Sequence, residues 1–475
     1  MAPSPPPRAT HPLAQRDLDI VWHPCTQMKG HELVPPRAIV AADGPWLIDD
    51  QGHRILDAVS SWWVNLFGHN FAPIREAITD QLQRVDHIML AGLTHPPVVE
   101  LSERLAALTG LGHAFYASDG ASATEIALKM SAHSWRNRGR PGKHRFIGLQ
   151  GGYHGETVGA LSVTDIPLFR ESYAPLLRLS ATLPSPDPRQ AAPGVSAEQH
   201  LQHCIDALAA WLDQHHAETA AIILEPLVQG AAGMAMHAPA YLVAVRRLCD
   251  QYDVHWIADE IAVGFGRTGT LFAHQQAVGD DGQPVRPDFI CLSKGLTGGV
   301  LPLSAVLTTD AVYQAFWDDR VAHGFLHSHS YTGNPLACRA ALAVLDTFAA
   351  QDAQGRDVLT RNREAAERFN TLVQPLNQHP RVRAHRHIGM IWAWDIDTAD
   401  PGFAARYHRA ALQAGLLLRP IGHTLYVMPP YVLTDADQRH LAYGLLSVLN
   451  QVLADDTPAP TPSPSGSSAD GLRMA

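Results

Sequence analysis

The chain has 475 residues, 46% hydrophobic and 17% charged, with a net charge of −10. At 51.6 kDa it can bury the cores of two domains, it is too apolar for a disordered chain, and it lacks the basic blocks that a nucleic-acid partner requires. Its five scattered cysteines include no C-x-x-C pair, which argues against structural zinc and redox work and fits a reducing, cytoplasmic setting.

Residues 1–10 are Pro/Ser-rich, lack the apolar centre of a signal peptide, and are expected to be a disordered tail. Residues 11–65 read as the N-terminal part of a small domain, through Trp46–Asp50 and Arg54–Ala58. Residues 66–334 read as a large cofactor-binding domain. Its strand candidates are Ala114–Ser118, Phe146–Gln150, Ala220–Glu225, His255–Asp259, Asp288–Ser293 and Leu303–Thr308. Helical patterns lie between them at Thr124–Arg138, His200–His215 and Pro239–Tyr252. Such alternation implies crossover connections, and hence an α/β domain with a mostly parallel central sheet. The Pro-rich stretch Leu183 to Val195 is expected on the surface. From Pro335 to residue 454, amphipathic helices and the strands Ile388–Ile396 and Leu425–Met428 suggest a smaller α+β domain, built from both chain ends. Residues 455–475 form a second Pro/Ser-rich tail. No apolar run reaches the length of a membrane span, and the 27 histidines show no metal-ligand spacing.

Six motifs bear on chemistry. Ser118-Asp119-Gly120-Ala121-Ser122 closes a strand and opens a helix; small residues and free N–H groups at a helix start favour an anion such as phosphate. Read without context, it is an N-cap and a turn. Gly151-Gly152-Tyr153-His154-Gly155 offers an aromatic at a glycine-rich tip, able to stack on a flat ring or simply exposed. Lys294 and Asp259 each end an apolar strand, and ligands of α/β sheets bind at those ends. Pyridoxal phosphate needs that pair, an amine for its aldehyde and a carboxylate for its ring nitrogen. Gly264-Phe265-Gly266-Arg267-Thr268-Gly269 matches a dinucleotide fingerprint in letters but opens no helix, so a glycine-relieved loop is the better reading. Ser61-Trp62-Trp63 is either core or an apolar wall. Arg419, in the apolar stretch Gly415–Ile421, requires a carboxylate partner, from the protein or from a substrate.

Together these residues resemble a class III aminotransferase of the fold type I pyridoxal phosphate enzymes. The resemblance rests on Ile257 through Gly269 with Ser293-Lys294-Gly295, and spans about residues 20 to 450. Trp22–Met28, Ser61–Trp63, Gly152–Gly155, Gly333–Cys338 and Arg419–Pro430 narrow it to the branch that serves biotin biosynthesis. That branch converts 8-amino-7-oxononanoate to 7,8-diaminononanoate with S-adenosylmethionine as amino donor. The resemblance implies that Lys294 holds the cofactor and moves the substrate proton, Asp259 meets the ring nitrogen, and Tyr153 stacks on the ring. Gly120 and Ala121 would bind phosphate. His329 and Ser330 would reach the phosphate of a partner subunit, which implies a homodimer. Cys25, Trp62, Ser328, Arg419 and Tyr426 would contact substrate, Arg419 through the carboxylate of the keto acid. Four positions depart from the family pattern: Cys25 stands where a tyrosine is usual, Ser328-His329 replaces Gly-Pro, and Ser330 replaces threonine. The alternatives are another class III enzyme acting on ω-amino acids or diamines, and a dinucleotide-dependent oxidoreductase.

Overall fold

A computed structural model describes residues 12–454; the tails expected at 1–10 and 455–475 lie outside the described residues. Near the N-terminus, β1 (Ile39–Asp43), β2 (Trp46–Asp49) and β3 (Arg54–Asp57) pair antiparallel in sequence order.

The central sheet follows. It is made of β4 (His113–Ala117), β5 (Arg145–Leu149), β6 (Ala181–Leu183), β7 (Thr219–Leu224), β10 (His255–Asp259), β11 (Phe289–Leu292) and β12 (Ser304–Thr308). Their order is β4-β12-β11-β10-β7-β5-β6. Every pair between β11 and β6 is parallel, and β12 runs antiparallel to both its neighbours. The mostly parallel sheet expected from the alternating pattern is therefore present, with one reversed strand. Strands β7, β10, β11 and β12 are buried at every position, because helices cover both faces. On one face, helix Gly120–Asn137 packs Ile126, Ala127 and Met130 on Ile223, Ile257 and Val306. On the other, helices Ala197–His215 and Ala240–Tyr252 bring Leu208, Leu212, Leu242 and Val245 to Ile222, Trp256 and Ile290. Strand alternation alone thus assigns Trp256 and Ile257 to opposite layers.

The chain order β7-β10-β11 places Glu225, Asp259 and Ser293-Lys294 just past the carboxyl ends of neighbouring strands. A short hairpin, β8 (Val228–Gln229) with β9 (Ala235–Met236), rises beside them. The stretch after Leu183 departs from expectation: Ser185 and Asp187 are buried. Ser185 donates to Gln229 Oε1 at 2.5 Å and accepts from His200 Nε2 at 2.9 Å, which ties the loop under the hairpin.

The C-terminal part also corrects one expectation. Most of the expected strand Ile388–Ile396 is present as β14 (Ile391–Ile396), but Ile388 ends a separate strand, β13 (Val382–Ile388), and the chain turns between them through Gly389 (φ 53°). A left-handed glycine ends a strand that continuous apolar residues make look unbroken. Strand β15 (Leu416–Leu417) joins β3 in parallel, and β16 (Thr424–Val427) pairs with β14. The two chain ends therefore share one sheet. Arg386 and Arg189 both bind Asp395 at 2.9 Å and also bind carbonyls of residues 232–234, which fastens the β13–β14 hairpin to the β8–β9 loop.

Candidate active site

A cavity of about 320 Å³ opens at the carboxyl ends of β7 and β10. Trp63, Gly120, Ala121, Tyr153, His154, Gly155, Glu156, Glu225, Asp259, Ile261 and Lys294 are among the residues lining it. Five of the sequence-selected residues, Gly120, Ala121, Tyr153, Asp259 and Lys294, thus meet in one place.

Lys294 follows β11 with φ 46°, a left-handed conformation unusual for a side-chain-bearing residue. Its Nζ lies 5.1 Å from the centre of the Trp63 ring. Burial pushes its pKa below the usual lysine range, while Asp259 and Glu225 oppose the shift. Asp259 is fixed at both carboxylate oxygens: Oδ2 accepts from His154 Nδ1 at 2.7 Å and Oδ1 from the Ile261 N–H at 3.1 Å. With Nδ1 donating, the His154 ring is held in one orientation, and its buried Nε2 has no partner among the described residues.

Helix Gly120–Asn137 is capped by Asp119, whose Oδ1 takes the Ser122 N–H at 2.9 Å. The Gly120 and Ala121 N–H groups have no intrahelical acceptor and line the cavity. Gly155 is required here: with φ 118°, a Cβ on it would stand 2.5 Å from Ala121 Cβ. This close approach leaves a cradle of backbone donors at the positive end of an 18-residue helix, suited to a phosphate. Tyr153 packs edge-on to Phe169 and donates to Glu156 Oε1 at 3.0 Å. Burial, then Glu156, pushes its hydroxyl pKa up, so it stays a neutral phenol.

Of the residues assigned to substrate, Trp62, Arg419, Cys25 and Tyr426 do not line this cavity, and Cys25 and Arg419 line a separate one; Trp63 lines the Lys294 cavity and touches Tyr426. Residues Ser60–Trp63 have φ of 52, 46, 74 and 71°. This full left-handed turn costs roughly 1–2 kcal/mol per residue and must be held from outside. It lays Trp63 against Tyr426, with Nε1 donating to the Tyr426 hydroxyl at 3.1 Å, and lays Trp62 under Arg419, 5.1 Å from ring centre to guanidinium. Gly230 gives Trp63 its room, since a Cβ there would meet the indole at 2.9 Å. Arg419 departs from the buried cation expected from its apolar surroundings: its side chain is exposed. It donates to the Cys25 carbonyl at 2.8 Å and pairs with no carboxylate among the described residues. The Cys25 thiol lies near Arg419 and is raised in pKa by burial.

His329 bonds Ser118 Oγ of its own chain at 2.9 Å, one residue before the Asp119 cap. Ser328 and Ser330 flank it, exposed, and neither lines the Lys294 cavity. The glycine-rich run Gly264–Gly269 opens no helix. Its fully buried Arg267 instead donates to the carbonyls of Asn65 and Pro429.

Sequence reasoning passed over Glu225 and His154. Glu225 is an acid at the end of a buried strand, the same signal that singles out Asp259. It accepts from the Gly230 N–H at 3.1 Å, and burial with Asp259 nearby pushes its pKa well above the usual carboxylate range. His154 sits inside a motif already noted, but only the fold brings it to Asp259.

The chain matches the family Aminotransferase class-III over residues 27–449. It is 41% identical to the adenosylmethionine-8-amino-7-oxononanoate aminotransferase of Helicobacter pylori, over 93% of this chain and 98% of that one. A crystal structure of the enzyme of that name from Methanocaldococcus jannaschii superposes with a TM-score of 0.84 at 34% identity, covering 92% and 98% of the two chains. An amine transaminase from an uncultivated Pseudomonas species, solved in its PLP-bound form, superposes at 0.82 with 30% identity, covering 91% and 98%.

Proposed function

Because this chain belongs to the class III aminotransferases, we propose that it aminates 8-amino-7-oxononanoate to 7,8-diaminononanoate, with S-adenosylmethionine as amino donor, in biotin biosynthesis. One observation carries the choice of substrate. Each of the two cations of the site rests on an indole, Lys294 on Trp63 and Arg419 on Trp62. An amine is thus available at one end of an aromatic wall and a carboxylate anchor at the other, which suits a long aliphatic keto acid.

The family works with pyridoxal phosphate, and the residues present fit it. Gly120 and Ala121 would hold the phosphate in the cradle that a Cβ at position 155 would fill, Asp259 would face the ring nitrogen, and Tyr153 would cover the ring. His329 and Ser330 are assigned to the phosphate of a partner subunit, and Ser328 to substrate. When bound, the cofactor supplies an aldehyde to carry the amino group and a conjugated ring to take up charge. The protein supplies the rest. Lys294, with its pKa lowered by burial, is neutral in a larger fraction of molecules than a surface lysine and can take the α-proton of the donor. His154 keeps the Asp259 carboxylate aimed. Arg419 anchors the keto acid, and the buried Trp63 indole shields Lys294 from water. Donor and acceptor use the site in turn, a ping-pong cycle.

A homodimer belongs to the same reading. Trp317, Val321, Leu326 and Tyr331, in the segment that carries His329, are all exposed apolar side chains on one chain, as a partner interface requires. A cytoplasmic location also belongs to it; all five cysteines are free, and among the described residues no helix is long and apolar enough to cross a membrane.

The test is the absorbance of the purified, cofactor-loaded protein. Adenosylmethionine should remove the band of lysine-bound cofactor, and 8-amino-7-oxononanoate should restore it. A band that ignores adenosylmethionine but yields to lysine or another amine would change the donor and keep the class. Lys294→Ala should abolish turnover, and normal turnover in that variant would overturn the reading.

A further inference from the structure

The left-handed turn Ser60–Trp63 contains no glycine, yet it sets both indoles of the site. Two bonds tie its first half to Asp57, which is fully buried, and a third, from His69, braces Asp57 itself. Asp57 Oδ1 accepts from the Ser61 N–H at 2.8 Å. Its Oδ2 accepts from Ser61 Oγ at 2.7 Å and from His69 Nε2 at 3.0 Å. Asn65 Nδ2 donates to His69 Nδ1 at 3.3 Å, which fixes the tautomer that serves Asp57. The exit of the turn is held from the other side. Arg267, 1% exposed, has no carboxylate partner among the described residues and donates instead to Asn65 O at 2.9 Å and Pro429 O at 2.7 Å. Burial pushes the Arg267 pKa down, and Asp57 is among the groups that oppose that shift. Ser60 Oγ adds a bond to Met428 O at 2.7 Å.

We infer that Asp57 and Arg267 are positioning residues that lock the Ser60–Trp63 turn in its left-handed form, and that the lock selects long, carboxylate-ended acceptors by fixing Trp62 under Arg419 and Trp63 beside Lys294. Neither residue lines the Lys294 cavity. The lock acts on acceptor fit rather than on proton transfer, since Lys294, Asp259 and Glu225 stand on other strands. The choice of acceptor rests on the function proposed above; the lock itself rests on the backbone alone.

The experiment compares Asp57→Asn, Ser61→Ala and the double variant Asp57→Asn/Ser61→Gly with the unaltered enzyme. Glycine adopts left-handed φ without a Cβ penalty, so it should restore the turn that Asp57→Asn releases. The first readout is the ¹⁹F spectrum of cofactor-free protein carrying fluorotryptophan, with Trp62 and Trp63 assigned by replacement with Phe. Asp57→Asn should shift or broaden both resonances, and the double variant should bring them back. The second is a split of kinetic constants. KM for 8-amino-7-oxononanoate should rise tenfold or more in Asp57→Asn, while the rate of the half-reaction with the amino donor changes less than twofold, and the double variant should recover most of the loss. Unmoved tryptophan resonances, an equal fall in both half-reactions, or no rescue by glycine would overturn the lock. Should Asp57→Asn fail to fold, Ser61→Ala removes a single bond and carries the same two readouts. If the unaltered enzyme does not accept 8-amino-7-oxononanoate, the proposed function fails, and the ¹⁹F shift with its glycine rescue still decides the lock.

Discussion

Arg419 is available because no carboxylate among the described residues reaches it: its bonded partner is the Cys25 carbonyl and its packed partner is Trp62. Arg419→Ala should therefore raise KM for the keto acid with little change for the amino donor. A hydrogen bond to a charged group is worth about 1.5–3 kcal/mol, roughly a tenfold to hundredfold change in KM, and exposure favours the lower end. An unchanged KM would remove the role. Glu225 gives a pH prediction. Its folded-state pKa is raised by burial and by Asp259, so its contribution to stability is complete below the usual glutamate range and is lost as pH rises through the raised value. In cofactor-free protein, Glu225→Gln should melt with the wild type in acid and progressively above it toward alkaline pH; parallel melting curves across that range would refute the assignment. The sequence made Lys294 and Asp259 legible because each follows an apolar run. It hid Asp57 and Arg267: Asp57 bonds Ser61 and His69, and Arg267 bonds carbonyls that only the fold brings near.

The approach of Gly155 to Ala121 is the tightest demand the loop after β5 makes on the helix that opens at Gly120. Gly155→Ala would force the two apart or strain a φ of 118°, and crowding of this kind costs about 1–3 kcal/mol. Affinity for pyridoxal phosphate should fall by about tenfold or more, read by titrating the cofactor into protein freed of it, with folding retained; unaltered affinity would show that this cradle is not the phosphate site. Buried strands were the easiest elements to read, since a strand covered on both faces is a continuous apolar run, as Ala220–Leu224 and Trp256–Ala258 are. The same rule failed at Ile388–Ile396, where Gly389 folds the run back on itself. It had nothing to say about Ser60–Trp63, because serine and tryptophan carry no signal for left-handed backbone.

Exposed Trp317, Val321 and Leu326 are the surface on which the proposed assembly rests. Val321→Glu with Leu326→Glu should convert a species of about twice 51.6 kDa into one of 51.6 kDa, and lower activity with it if His329 serves the partner's site. A single-chain mass in the unaltered protein, measured by sedimentation, would refute the homodimer. At the same scale, the pairing of β15 with β3 joins Leu416 to Leu56, 360 positions earlier. Trp62 and Arg419 each follow one of these strands closely, so the proposed substrate wall and its anchor are completed by the last-made quarter of the chain. At typical synthesis speeds of about 5–20 residues per second, β3 emerges roughly 20–70 s before its partner strand exists. During that interval the nascent polypeptide carries an unpaired strand edge and two tryptophans with nowhere to dock, the condition in which chaperones are recruited and premature termination products aggregate.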